Sequence, residues 1–239
     1  MTTAVKNLAR PSKNKTIGIE YAYYELFRQF GDVRIVTVDQ DPDEIEFDLL
    51  VLPGGPDMSV GLTDEFPINN GPDNPLFTWF YKNQFMKWVQ SGTPIFGICL
   101  GFQAINTMFG GKTATHVTGH TEGDHPIICL DRLSKKPLDI VVNSRHHQAV
   151  WSQELSLELE CLAVSQAGTS DKFFAEAFLH YALPIAGVQW HPEDLFLSDG
   201  VRRGDKLTHS IILKLLEFYD EKVTEDTSEW GSLEEDRPR

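Results

Sequence analysis

Of the three cysteines in this 239-residue chain, one has the surroundings of a nucleophile. Cys99 lies in Gly97-Ile98-Cys99-Leu100-Gly101, between the apolar run Thr93–Ile98 and a helix-forming stretch from about Leu100 to Phe109. A nucleophile on so sharp a strand-to-helix turn has a strained backbone, and small residues two before and two after it relieve the crowding. The turn sets the thiol at the start of the next helix, where unpaired amides and the helix dipole favour thiolate over thiol. It also leaves the Leu100 amide facing a reacting carbonyl as an oxyanion donor. Cys129 and Cys161 fall inside strand-like runs and read as small core residues.

A thiolate of this kind needs an imidazole partner. Among eight histidines, His191 stands out in Gly187-Val188-Gln189-Trp190-His191-Pro192-Glu193. It follows the apolar run Ile185–Trp190, at the strand end where α/β sheets place their sites. Pro192 favours an extended backbone before it, and in an extended segment residues i and i+2 project to the same side. The expectation is therefore that Glu193 sits beside His191, orients the ring and stabilises its imidazolium. His116, His120 and His125 form a looser cluster. It lacks the Cys or Asp pattern that would complete a metal site, so it reads as a polar loop near the site. His146-His147 follows a strand-like run, either capping its end or lining a substrate pocket.

Taken together, Gly97–Gln103 (GICLGFQ) and Gly187–Glu193 (GVQWHPE) resemble the class I glutamine amidotransferase superfamily. The turn Leu52-Pro53-Gly54-Gly55-Pro56 is similar to that family's oxyanion loop, and the resemblance runs from about residue 16 to 220. It implies Cys99 as nucleophile, His191 as base and then acid, and Glu193 as orienting carboxylate. It implies an oxyanion hole from the amides of Gly55 and Leu100, with Gly54 and Gln103 at the glutamine moiety. The implied reaction cleaves the γ-amide of glutamine or of a γ-glutamyl amide through a γ-glutamyl thioester, with no metal and no organic cofactor. Val142–Ala149 (VNSRHHQA) is similar to the motif of γ-glutamyl-γ-aminobutyrate hydrolases, which implies that Ser144 and His146 line the γ-glutamyl pocket. Cys99–Gln103 is nearer to the ammonia-producing amidotransferases. Two functions stay open: a stand-alone γ-glutamyl hydrolase acting on small amines, and a glutaminase subunit that passes ammonia to a separate synthetase. A catalytically silent binding module on the same fold is a third, against which the intact Cys99, His191 and Glu193 argue.

The elements that must position these residues alternate along the first half. Thr16–Glu20, Val33–Asp39, Phe47–Leu52 and Thr93–Ile98 read as strands, with a helix over Tyr21–Phe30. Asn74-Pro75 caps and starts a helix that runs to about Gln90. This spacing indicates βα units on a largely parallel sheet. In the second half, Pro126–Leu130, Leu138–Asn143, Leu157–Ser165 and Phe173–Leu179 lack long helices between them and suggest antiparallel additions. Lys206–Tyr219 is an amphipathic helix with Leu207, Ile211, Leu215 and Phe218 on one face. The fold class expected is α/β, flavodoxin-like by the resemblance, with a mostly parallel central sheet flanked by helices. One domain spans 16–220, between a flexible polar arm at 1–15 and an acidic tail at 221–239.

Composition narrows the function classes. Lys plus Arg is 21 against 35 Asp plus Glu, a formal charge of −14. That balance disfavours nucleic acid and anionic membranes as partners, and the resemblance implies a small-molecule substrate. No apolar run approaches the roughly 18 residues of a spanning helix. Three widely spaced cysteines do not make a disulfide framework. The expected location is the cytoplasm.

Overall fold

The computed structural model describes residues 2–6, 21–45, 48–55, 57–58, 74–113, 116–130, 139–169, 171–197 and 206–217. Its sheet has the order β2-β1-β3-β4-β10-β9-β8-β5-β6, with β7 paired to β9. The strands are β1 (Thr2–Lys6), β2 (Asp32–Val36), β3 (Leu49–Leu52), β4 (Ile95–Ile98), β5 (Asp124–Cys129), β6 (Asp139–Asn143), β7 (Val150–Trp151), β8 (Leu159–Gln166), β9 (Phe173–His180) and β10 (Ile185–Val188). The helices are α1 (Tyr21–Phe27), α2 (Pro75–Asn83), α3 (Phe85–Gln90), α4 (Leu100–Met108), α5 (Pro192–Leu197) and α6 (206–217).

The parallel centre is β3-β4-β10, and every residue of these three strands is buried. Period-two alternation sends their side chains to both faces. Leu49 and Val51 join Phe27, Ile98, Val188, Ile211 and Leu215 in the core under α1 and α6. Leu50 and Leu52 join Phe85, Trp88, Ile95, Leu100 and Phe102 in the core under α2, α3 and α4. Helices on both faces of buried strands are what the apolar runs require, since each face must be dried by another element. From β10 onward through β9, β8, β5 and β6 the pairing is antiparallel, as expected of the second half. The sheet curls far enough that β6, its last strand, packs against α5, which follows β10.

Several expectations shift in detail. Residues 2–6 of the expected arm form β1, antiparallel to β2 and β3. Asn74 accepts the Phe77 amide at 3.2 Å and Pro75 opens the helix, but Gln84 divides it into α2 and α3. Thr16–Glu20, the tail after 220 and Phe218 lie outside the described residues.

Candidate active site

The three motifs meet because three parallel strands end side by side. Leu52 pairs with Gly97, and Gly97 pairs with Gly187. The segments leaving β3, β4 and β10 at that edge are Pro53–Gly55, Cys99 and Gln189–His191. The Cys99 amide donates to the Val188 carbonyl at 2.9 Å, tying the elbow to β10.

Cys99 has φ 50° and ψ −101°, and among the described residues no other non-glycine has a positive φ. The surrounding packing holds it there. A Cβ on Gly97 would lie 2.8 Å from the Gly101 carbonyl carbon and 2.6 Å from Ile105 Cδ1. A Cβ on Gly101 would overlap the Leu52 carbonyl oxygen. A Cβ on Gly187 would lie 3.0–3.2 Å from Phe178, the Gly97 carbonyl oxygen and Phe102, and the rings of Phe102 and Phe178 stack at 4.7 Å. The glycines thus let strand, elbow and helix approach closely.

His191 reaches the elbow from the other strand. Its Nδ1 donates to Glu193 Oε1 at 2.6 Å, and the ring also hydrogen-bonds the Cys99 sulfur. The pairing is the one expected, but its geometry is not extended. Pro192–Leu197 is a helix, with Pro at its first position and Glu193 in its first turn. Pro is as well suited to that position as to an extended segment, because the missing N–H has no partner there in either case. Asn143 holds the His191 backbone twice, donating to its carbonyl at 2.9 Å and accepting its amide at 3.0 Å. Arg145 sets its guanidinium 3.7 Å from Glu193 Oε1 and donates from Nε to Asp194 at 3.0 Å. Tyr23, from α1, accepts the Gly54 amide at 3.0 Å and stands beside Glu193. Burial first, and then that carboxylate, push the phenol well above its ordinary range, so the hydroxyl keeps its proton.

Charge settles in the same place. Burial alone would push the His191 imidazole down, but the Cys99 sulfur and the Glu193 carboxylate outweigh it and raise the pKa to about 10. At neutral pH the ring is therefore an imidazolium. Gly54 and Gly55 pack tightly here. A Cβ on Gly54 would come within 2.7 Å of His191 Cε1, and one on Gly55 within 2.5 Å of Leu100 Cδ2. The glycine turn and the start of α4 are thus in contact.

Gln103, Ser144 and His146 stand one layer behind. Gln103 is buried and donates to the Gln148 carbonyl at 2.7 Å and to Gln189 Oε1 at 3.1 Å. The Ser144 hydroxyl donates to the His120 carbonyl. The His146 ring is buried, its Nδ1 lies 2.8 Å from the Gln148 carbonyl, and burial pushes its pKa down to about 4. These three bind backbone and each other's loops, so they shape the 143–148 segment from within. Cys129 and Cys161 lie in β5 and β8, where burial raises both thiols, Cys161 to about 12. Tyr23, Asn143 and Arg145 are additions that the residue patterns did not single out. Asn143 and Arg145 stand inside the Val142–Ala149 motif, whereas nothing local marks Tyr23.

A family model described as "Glutamine amidotransferase class-I" matches residues 14–200. The arginine-specific carbamoyl phosphate synthase small chain of Bacillus subtilis is 34% identical over 130 residues, 54% of this chain and 35% of its own length. The glutamine amidotransferase-like protein YvdE of Lactococcus lactis is 26% identical over 201 residues, 75% of this chain and 82% of its own. The aligned region spans 30% of the length of the Synechococcus carbamoyl phosphate synthase small chain and 49% of that of Caldanaerobacter subterraneus, so this chain covers half or less of those relatives. A Thermoplasma acidophilum crystal structure named for a GMP synthase subunit superposes with a TM-score of 0.57 at 21% identity, covering 87% of this chain and 93% of that one, which shows a shared fold. The motif-bearing strand ends and the match over residues 14–200 lead to one statement: this chain belongs to the class I glutamine amidotransferase family.

Proposed function

We propose that the chain cleaves the γ-amide of glutamine or of a γ-glutamyl amide, with Cys99, His191 and Glu193 as its catalytic residues. The observation that carries this reading is a cysteine held at φ 50° on a strand-to-helix elbow beside an imidazolium anchored by a carboxylate at 2.6 Å. The Cys99 thiolate attacks the amide carbon, and the carbonyl π electrons move onto oxygen. The Gly55 and Leu100 amides hold that oxyanion, and Gly54 borders the substrate. His191 gives its Nε2 proton to the leaving nitrogen, the C–N bond breaks, and ammonia or an amine departs. A γ-glutamyl thioester remains. His191 then takes a proton from water, hydroxide adds to the thioester carbon, and the C–S bond breaks to release glutamate. Glu193 keeps the ring oriented throughout. Gln103, Ser144 and His146 act by fixing the 143–148 loop that borders the γ-glutamyl pocket.

A second reading, in which the ammonia passes to a separate synthetase, draws on the carbamoyl phosphate synthase small chains among the relatives. One panel of γ-glutamyl amides, glutamine included, scored for glutamate release, separates the two. Release from γ-glutamyl amines by the purified chain supports the stand-alone hydrolase, and glutamine turnover only with a partner supports the synthetase-linked reading. In either case Cys99→Ala and His191→Ala should each lower turnover at least about a thousandfold. An active Cys99→Ala enzyme would end the proposal.

A further inference from the structure

Beneath the 143–148 loop the chain buries a cluster of side chains that take no part in the bond-making and bond-breaking steps. His120, His146 and Glu176 are 5%, 5% and 0% exposed. One ligand-type atom from each lies within 4.8 Å of the others. They come from three separate parts of the fold: the turn before β5, the loop between β6 and β7, and the middle of β9. His120 Nδ1, His146 Nε2 and Glu176 Oε2 are each buried without a hydrogen-bond partner among the described residues. Buried polar atoms normally find partners, so three residues that each carry an unpartnered buried atom and bring ligand-type atoms within 4.8 Å of one another point to something that should sit between them.

The surrounding contacts prepare these atoms as electron-pair donors. His146 Nδ1 lies 2.8 Å from the Gln148 carbonyl, which can only accept, so Nδ1 carries the proton and Nε2 the lone pair. Glu176 Oε1 accepts from the Ser165 hydroxyl at 2.6 Å and meets His125 Nε2 at 3.0 Å. Oε2 is left without a partner among the described residues. Metal-binding histidines and carboxylates are held in this way, through the atom that does not touch the ion. We infer that His120, His146 and Glu176 bind one divalent transition-metal ion, with zinc the best match to two imidazoles and a carboxylate, and that His125 supports it from behind Glu176. Zinc bonds of about 2.0–2.1 Å call for donor separations near 3.4 Å, so the widest pair closes by up to about 1.4 Å on binding. The ion's role is structural: the loop it fixes begins after Asn143, the last residue of β6, and carries Arg145, and these two residues hold His191, Glu193 and Asp194.

The test uses the full, tag-free chain, stripped with chelator, loaded with zinc, desalted and assayed for bound metal and thermal midpoint. The readouts do not depend on amide hydrolysis, so they stand or fall apart from the proposed activity. The expected result is one zinc per chain and a raised midpoint in the wild type, in Cys99→Ser and in the exposed-residue control His116→Gln. Glu176→Gln and His146→Gln should bind at least tenfold more weakly, and His125→Gln about 10–100-fold more weakly. Cobalt in place of zinc should give ligand-field absorption without a thiolate charge-transfer band. Less than a tenth of an equivalent in the wild type, loss of the ion in Cys99→Ser, or full retention in Glu176→Gln and His146→Gln would each overturn the site. Should those variants fail to fold, the wild-type stoichiometry and the cobalt spectrum decide it alone.

Discussion

A single imidazole links the chemistry of the site to the stability of the chain. Unfolded, His191 titrates near its ordinary value of 6.5, and in the fold its pKa is about 10. A raised pKa means that the folded state holds the proton more tightly. The resulting stabilisation is complete below pH 6.5 and is lost as pH rises from there toward about 10. Burial acts against the proton, while the Cys99 sulfur and Glu193 act for it. Cys99→Ala removes one of the two favourable partners and keeps the burial. In that variant the His191 ring should titrate at lower pH, and the alkaline loss of stability should begin earlier. Ring titration by NMR and urea midpoints across pH 6–10 check both, and superimposable wild-type and variant titrations would contradict the coupling. At the same scale, Arg145 and Tyr23 flank Glu193 from opposite elements, a loop and α1. The carboxylate is thus set by groups that no local pattern connects to it.

Elements position the nucleophile through contacts that leave no room for a methyl group. The elbow works because β3, β4 and α4 touch through backbone at Gly97 and Gly101. Gly101→Ala would drive a Cβ into the Leu52 carbonyl oxygen, and neither backbone can rotate away as a side chain would. The expected cost is about 1–3 kcal/mol of stability. It should come with a larger loss of turnover, because the displaced partner is the strand that carries the Gly54-Gly55 turn. Urea denaturation beside glutamate release measures the two, and an alanine variant with wild-type values for both would show that the close approach is dispensable. The glycine spacing around Cys99 was legible in the sequence because the turn requires it whatever surrounds it. The helix at Pro192 was not. Pro-Glu-Asp after a strand fits an extended exit and a helix start equally well, and docking of α5 against α1 and β6 decides between them.

Across the whole molecule, the two cores lie on opposite faces of three buried strands, and α6 closes one of them. Its Leu207, Ile211 and Leu215 are buried as the helical spacing requires. A polar contact ties it to the segment after β10: Trp190 Nε1 donates to Thr208 Oγ1 at 3.1 Å, with both residues buried. Thr208→Val keeps the shape and removes that acceptor. It should cost about 1–3 kcal/mol, read as a lower thermal midpoint, and an unchanged midpoint would show that the indole finds another partner. Among the described residues no helix is long and apolar enough to cross a membrane.

Residue order alone determined the elbow, the glycine turn, the placing of His191 after an apolar strand, and the strands that end at these three points. Each is a local pattern: small residues where a turn is tight, apolar residues at period two. Only the tertiary structure decided what stands around them. Register between parallel strands brings Leu52, Gly97 and Gly187 level, so three distant motifs share one edge. Curling of the sheet returns β6 to α5 and places Asn143 on His191. The same closure turns His120 from its sequence neighbour His116 toward His146 and Glu176, a grouping that no spacing along the chain encodes. Contacts between residues remote in sequence depend on how whole elements pack, and a window of local pattern holds no information about that.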